Sequence, residues 1–215
     1  MEGRLLVFEQ LKELARPFSN VVQVGANRGQ EVAAYLNYGI DWAIMVEPQD
    51  DAFDKLQKRV ADHPHYVAVQ ALCSNLDGVE YDFYVASNKG QSSSLLKPTR
   101  HQTEYPKIKF PNRVKLVSTT LDTLVDGVVE RHAELSPDVF DTLLIDVQGA
   151  ELKVLMGATR LLKHIKYVFA EVSYDLYEGG ATLDDLQGFL RTFGFQLQYL
   201  QLNRHGWGDG LFVKV

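Results

Sequence analysis

The sequence is short of cysteine, of long apolar runs and of net positive charge. Its only cysteine is Cys73, so no internal disulfide can form, which fits a reducing compartment. No window approaches the roughly 20 apolar residues of a membrane-spanning helix. The amphipathic N-terminus also lacks the apolar stretch of a signal peptide. These absences predict a cytoplasmic protein with no membrane span.

The charge balance narrows the choice of partner. A formal net charge of −6 repels a polyphosphate backbone, so we do not expect nucleic acid to be a partner. The content of hydrophobic residues, 46%, is typical of a folded globular chain. A chain of 215 residues is rather short for two cores, so we predict a single domain over residues 1–215.

Helical and strand patterns alternate along this chain. Apolar residues at helical spacing predict an N-terminal helix over residues 1–18 and further helices between the strands. Short apolar runs predict strands at 21–25, 42–48, 65–73, 140–146 and 167–173. Alternation of this kind gives a parallel sheet built by right-handed crossovers, which is an α/β fold of the Rossmann-like type.

Two parts of the sequence depart from this alternation. Residues 79–86 alternate like a two-sided strand and predict an antiparallel insertion. The polar stretch 87–113 shows no usable periodicity and is interpreted as a long functional loop. At the other end, Thr182 with Asp185 resembles a capping box, and the last two apolar runs predict a closing antiparallel pair.

The first predicted turn, VGANRGQE, places Gly25 and Gly29 around Asn27 between a strand and a helix. Glycines in such a turn let the backbone approach a ligand, and the helix N-terminus attracts the negative end of that ligand. Glu47 ends the next strand about 20 residues later, where a carboxylate can accept both hydroxyls of a ribose. The GxGxxG spacing of dinucleotide sites is missing, which disfavours a nicotinamide oxidoreductase on the same fold.

A nucleoside that carries an amino-acid tail instead of phosphates fits these residues better, and S-adenosylmethionine is such a molecule. We expect Cys73, Ser74 and Asn75, at the end of the third strand, to lie beside the adenine. Asp146 follows an apolar strand at the edge of the sheet where ligands bind, and must therefore face a ligand, a metal or a partner. Glu151, in the first turn of the next helix, is read as an acid that complements the helix dipole.

Several motifs together resemble the FkbM family of methyltransferases. They are QVGANRGQE, MVEP, ALCSNLDG, GQSSSLL, TLDTL, LLIDVQGAELKVLMGA and FAEVS, which span nearly the whole chain from Val21 onward. The chain departs from the family at Gln148, where the family usually has Glu.

The resemblance implies a class I methyltransferase fold, with a mostly parallel seven-stranded sheet, an antiparallel C-terminal strand and an inserted hairpin or loop. It implies S-adenosylmethionine as donor and Gly25, Asn27 and Glu47, with Pro48 of the MVEP motif, as cofactor residues. It further implies methylation of a hydroxyl, often on a sugar or a natural product. A noncatalytic nucleoside-binding module is the alternative that Gln148 leaves open.

Transfer of a methyl group to a hydroxyl requires alignment of the acceptor and removal of its proton. We predict that Asp146 and Glu171, at adjacent strand ends, hold or deprotonate the acceptor, with Mg²⁺ as an optional bridge because it prefers oxygen ligands. His101 in the long loop is the alternative base.

The long loop concentrates positive charge in an otherwise acidic protein. The six cations from Lys97 to Lys115 oppose one acid, Glu104, which suggests a mobile lid that attracts an anionic small-molecule or glycan acceptor. These cations are Lys97, Arg100, Lys107, Lys109, Arg113 and Lys115.

Overall fold

The computed structural model describes residues 18–215. The predicted N-terminal helix over 1–18 therefore lies outside the described residues, apart from Phe18. The strands are β1 (Asn20–Val24), β2 (Trp42–Val46), β3 (Tyr66–Val69), β4 (Leu72–Cys73), β5 (Glu80–Val85), β6 (Asn112–Thr119), β7 (Thr142–Ile145), β8 (Tyr167–Ser173), β9 (Phe195–Leu202) and β10 (Trp207–Lys214).

Six α-helices connect these strands. They are α1 (Val32–Tyr38), α2 (Asp50–Val60), α3 (His101–Glu104), α4 (Leu121–Val129), α5 (Glu151–Met156) and α6 (Leu183–Arg191). Two short 3₁₀ turns lie at Pro137–Val139 and Leu161–Lys163. The predicted capping box opens α6: the Thr182 side chain accepts from the Asp185 backbone N–H while the Asp185 side chain accepts from the Thr182 backbone N–H. None of these helices, within residues 18–215, is long and apolar enough to cross a membrane.

The main sheet has seven strands in the order β3-β2-β1-β7-β8-β10-β9. The first five pair in parallel, and β10 pairs antiparallel with both β8 and β9. Apolar β-branched residues fill the central strands because helices cover both faces of the sheet, and two separate hydrophobic clusters pack against those faces. The α/β fold predicted from the sequence, with its mostly parallel sheet and antiparallel C-terminal strand, is confirmed.

A smaller sheet in the order β4-β6-β5 carries the predicted insertion. The predicted third strand, 65–73, is wrong as one element: β3 pairs with β2, whereas β4 leaves the main sheet and pairs with β6. The reason is a break at residues 70 and 71, after which the chain turns to a different partner. The predicted closing antiparallel pair is formed by β9 and β10, and its hairpin turns at residues 203–206.

Candidate functional site

A cavity of about 660 Å³ opens at the carboxyl ends of β1, β2, β7 and β8. This is the edge at which open α/β sheets bind ligands, because successive strands diverge there and leave a crevice. The volume lies within the usual range for small-molecule sites. Eight of the residues expected from the sequence line it: Gly25, Asn27, Glu47, Pro48, Cys73, His101, Asp146 and Glu171.

The turn after β1 is tight because its backbone takes conformations that few residues adopt. Gly25 has φ +86° and Asn27 has φ +44°, both in the left-handed region. A Cβ added to Gly25 would lie 1.9 Å from the backbone oxygen of Asp146. The glycine is therefore required for the close packing of this turn against the end of β7, in addition to any approach of a ligand.

Glu47, at the end of β2, is a carboxylate of the cavity whose position is fixed by several hydrogen bonds. It is buried, and its two oxygens accept from the backbone N–H groups of Asn27 and Gln49 at 2.9 Å each. The Gln49 side-chain amide donates to the same carboxylate at 3.0 Å. Burial raises the pKa of Glu47 above its ordinary value, and the hydrogen bonds from Gln49 and Asn27 oppose that shift.

Three of the residues expected to bind the cofactor lie outside the cavity walls. Gly29 faces the side chains of Leu56 and Val32, where an added Cβ would come within 2.8 Å of Leu56, so it allows the turn to pack on α2. Ser74 is fully buried, and its backbone N–H donates to the Thr119 oxygen at 3.0 Å. Asn75 accepts from the Ser74 hydroxyl at 3.2 Å.

Cys73 does line the cavity, but its thiol is chemically quiet. It is buried at the end of β4 within the larger hydrophobic cluster. Burial raises the pKa of this thiol to about 12, so the reactive thiolate is scarce at neutral pH. Cys73 therefore contributes an apolar wall rather than a nucleophile.

Gln148 joins the two carboxylates that were expected to contact the acceptor. Its side-chain amide nitrogen donates to Asp146 Oδ1 at 2.7 Å and to Glu171 Oε2 at 2.6 Å. Its amide oxygen lies 3.0 Å from the hydroxyl of Tyr177, which can donate either to it or to the Ser92 carbonyl at 2.9 Å. An amide group therefore occupies the position between Asp146 and Glu171 where a bridging Mg²⁺ was expected.

The described residues supply no richer donor set for a metal. Within 18–215, no group of three or more His, Cys, Asp or Glu side chains is arranged to hold a metal ion. Two carboxylates already bridged by an amide do not fit Mg²⁺, which usually retains several waters in an octahedral shell. The expectation of a Mg²⁺ bridge is not supported.

Glu151 lies in the first turn of α5, as the sequence indicated, and it also supports the turn that precedes the helix. Its side chain is 1% exposed and one oxygen accepts from the backbone N–H groups of Val147, at 3.0 Å, and Gly149, at 3.1 Å. These bonds fold the turn that carries Gln148, whose φ of +57° is left-handed. Burial raises the pKa of Glu151 to about 7.

His101 lies at the start of α3 and is 3% exposed, so it is part of the cavity wall rather than of an outer surface. The rings of Tyr105, Phe110 and Tyr177 surround it at centroid distances of 5.1 to 5.4 Å. Burial lowers the pKa of His101, which favours the neutral imidazole. Its Nδ1 atom has no hydrogen-bond partner within the described part of the chain.

The predicted long loop, 87–113, is more structured than its composition indicated. It contains α3, and its last two residues already belong to β6. We call residues 88–96 the serine loop. There Ser93 donates to the Gln49 side chain at 2.9 Å and Ser94 donates to the Gln148 carbonyl at 2.8 Å. These bonds attach the loop to the ends of both β2 and β7, and so to the two sides of the cavity.

The C-terminal hairpin completes the wall beside α3. Trp207 and Asp209 of β10 line the cavity, and the Trp207 indole N–H donates to the Tyr105 hydroxyl. On the outer side, His205 Nδ1 lies 2.9 Å from Glu104 Oε2. Sequence reasoning missed Trp207 and Asp209, although their alternation in the last strand could have placed both on the face that Glu171 shares.

These features define a class of protein: a Rossmann-like methyltransferase fold with a nucleoside-sized cavity at the carboxyl edge of its sheet. The model of the methyltransferase FkbM domain matches residues 23–197, and the chain belongs to that family.

Known proteins are similar to this chain in sequence or in fold. The chain is 23% identical over 194 residues to the 2-O-methyltransferase NoeI of Sinorhizobium fredii (strain NBRC 101917 / NGR234), covering 86% of this chain and 76% of that protein. The magnesium protoporphyrin IX methyltransferase ChlM of Synechocystis PCC 6803, solved with bound SAM, has a similar fold. Its TM-score is 0.53 at 8% identity, over 99% of this chain and 77% of that one.

A further neighbour is a protein of the NADB-Rossmann superfamily from Streptococcus agalactiae. Its TM-score is 0.49 at 13% identity, over 93% of this chain. The present chain spans 64% of the length of that protein.

Proposed function

We propose that this chain is an S-adenosylmethionine-dependent O-methyltransferase that methylates a hydroxyl group of a sugar or glycan. The observation that carries the proposal is the buried Glu47 carboxylate, held at the cavity by the backbone N–H groups of Asn27 and Gln49. Glu47 Oε1 already accepts two hydrogen bonds from Gln49, whereas Oε2 accepts one, from Asn27, and so keeps a lone pair that can accept a ribose hydroxyl. The family assignment and the name of the NoeI relative support the O-methyl chemistry.

The residues present fit the cofactor. Glu47 would hold the ribose, Pro48 and Cys73 offer apolar surface for the base, and the left-handed turn at Gly25 and Asn27 brings backbone groups to the cavity. When bound, S-adenosylmethionine supplies an electrophilic methyl group on a positively charged sulfur. The acidic cavity wall stabilises that positive charge.

The protein's own part of the reaction is to orient the acceptor hydroxyl and remove its proton. His101 is the proposed base: a buried neutral imidazole can accept a proton at neutral pH, whereas a protonated one cannot. Asp146 and Glu171 are joined by the Gln148 amide, which donates a hydrogen bond to each. In this proposal the two carboxylates accept hydrogen bonds from the acceptor and fix its approach.

Calorimetry with purified protein and S-adenosylhomocysteine tests the proposal directly. We expect the wild-type protein to bind this product and Glu47→Gln to bind it at least tenfold more weakly, a loss of about 1.4 kcal/mol, because hydrogen bonds to a charged acceptor are lost. Glu130→Gln is the matched control, since Glu130 is exposed and lies outside the cavity walls.

Thermal unfolding of each variant without ligand checks that the fold is intact. Absence of binding by the wild-type protein, or uptake of NAD in its place, would overturn the assignment.

A further inference from the structure

The charged residues that line the cavity all have the same sign. No Lys or Arg of residues 18–215 is among the lining residues, whereas five carboxylic acids are. Charges of one sign in a cleft with low-dielectric walls focus a field that selects for the opposite charge. The five acids are Glu31, Glu47, Asp146, Glu171 and Asp209.

Three of the six cations that the sequence suggested would attract an anion lie on the outer surface and bind acids there. Arg100 pairs with Glu104 at 3.0 Å, and Lys115 pairs with Asp82 at 2.9 Å. Arg113 also reaches Asp82, at 3.1 Å. Their side chains are between 45% and 60% exposed. These ion pairs hold the three cations at the surface, away from the acids that line the cavity.

An aromatic wall faces the acidic groups. His101, Tyr105 and Trp207 all line the cavity, and the contact of the Trp207 indole with the Tyr105 hydroxyl fixes their arrangement. Aromatic faces attract cations and cover the apolar face of a ring, and the few polar groups among them set the orientation of a ligand. Independently of the acids, His101 lines the cavity as a buried imidazole whose Nδ1 has no hydrogen-bond partner in the described chain.

We propose that the space between this aromatic wall and the acids Asp209 and Glu171 is an acceptor subsite. It selects a sugar ring that carries an ammonium group or no charge and excludes phosphorylated, uronic-acid and nucleotide-linked sugars. The inference rests on the proposed function, since it names the class of acceptor for the same cavity. Asp209 lies opposite Glu171 in the β10–β8 register, so the two acids border the subsite from adjacent strands.

Binding of four simple probes to protein saturated with S-adenosylhomocysteine tests the charge rule. The probes are methyl glucosaminide, methyl glucoside, glucose 6-phosphate and methyl glucuronide, measured by saturation-transfer NMR at low and high salt. We expect the amine to bind at least as tightly as the uncharged glucoside, and both anions to bind at least tenfold more weakly. The discrimination falls at high salt, because screening weakens charge interactions.

Asp209→Asn preserves the size of the side chain and removes one charge. It should therefore narrow the gap in affinity between the uncharged and the anionic probes at least threefold. Glu130→Gln, on the outer surface, should leave that gap unchanged. Equal or tighter binding of an anion, or binding of none of the four probes, would overturn the inference. Saturation with S-adenosylhomocysteine is established first, so failure at that step counts against the proposed function, whereas failure with the probes counts against the charge rule alone.

Discussion

Individual residues in this protein act mainly through the backbone groups they hold. Glu47 and Glu151 are both buried carboxylates that accept from two backbone N–H groups. The first lines the cavity and the second lies behind it, supporting the turn at Gln148. Two acids with the same bonding pattern therefore have separable roles, one toward a ligand and one toward the fold.

The buried Glu151 makes stability depend on pH. Its pKa in the folded protein is about 7, against 4.5 as the ordinary value, so between these pH values the folded protein keeps a proton that the unfolded chain releases. The stability that this group contributes is complete below pH 4.5 and is lost as the pH rises through 7, a change of about 3 kcal/mol.

We expect Glu151→Gln to abolish that pH dependence, because the amide keeps an acceptor oxygen and does not ionise. Urea unfolding at pH 5 and pH 8 measures it: the free energy of unfolding of the variant, relative to wild type, should rise by about 2–3 kcal/mol between the two. Glu130→Gln, an exposed substitution, should show no such rise. A constant difference between Glu151→Gln and wild type across this range would contradict the expectation.

Sequence reasoning identified single residues well where a local pattern fixed them. Gly25 and Glu47 follow from their positions at strand ends, and Thr182 follows from its spacing to Asp185. Ser74 was expected beside the adenine but lies outside the cavity walls. A short polar turn after a strand has the same sequence pattern whether it faces a ligand or the rest of the protein. The bridging role of Gln148 depends on Glu171, which is 23 residues away, and no local pattern encodes that distance.

At the scale of elements, the serine loop is a part of the cavity wall that is hydrogen-bonded to the segments that follow β2 and β7. The Ser93 hydroxyl donates to Gln49 and also accepts from the Ala86 backbone N–H at 2.9 Å. Gln49 in turn donates to Glu47. A contact on the loop is therefore two hydrogen bonds away from the carboxylate that would hold the ribose.

Ser93→Ala should weaken binding of S-adenosylhomocysteine by roughly five- to thirtyfold, or about 1–2 kcal/mol, because it frees Gln49 and leaves a buried N–H without an acceptor. Ser87→Ala is the control in the same segment: Ser87 is exposed and bonds only to Lys109. Titration calorimetry compares the two. Equal affinities would mean that the loop does not act on the ribose site.

Helices and strands could be predicted where the apolar pattern of their own residues was clear. Strands β1, β2, β7 and β8 follow from apolar runs, since a strand covered on both faces has few polar positions. The division between β3 and β4 was not predictable, because both halves are apolar and only the pairing partner differs. Helix α3 has four residues, too few for periodicity to show.

At the scale of the whole molecule, one sheet supports everything described. The two hydrophobic clusters pack on opposite faces of that sheet, and the small sheet joins it through β4, whose Cys73 belongs to the larger cluster. Residues that are far apart in the sequence line the same cavity, since both β1 and β10 contribute to its walls. Loss of the sheet would therefore remove the site as well.

We accordingly expect a single cooperative unfolding transition, as in most small one-domain proteins. The two tryptophans report different places: Trp42 lies in β2, and Trp207 lies at the cavity at the start of β10. Urea midpoints from tryptophan fluorescence should coincide with those from circular dichroism, and Trp207→Phe, which leaves Trp42 as the sole reporter, should give the same agreement. Separated midpoints would indicate that the cavity side unfolds independently of the sheet.

The seclusion of Cys73 has a practical consequence. Because the sole thiol of the chain is buried and resists ionisation, maleimide reagents should pass it over. A cysteine introduced on the outer side of the serine loop and a second on α2 would then carry a pair of dyes without any change to the native background. The distance between such dyes would report whether the serine loop and α2 change their separation when S-adenosylhomocysteine is added.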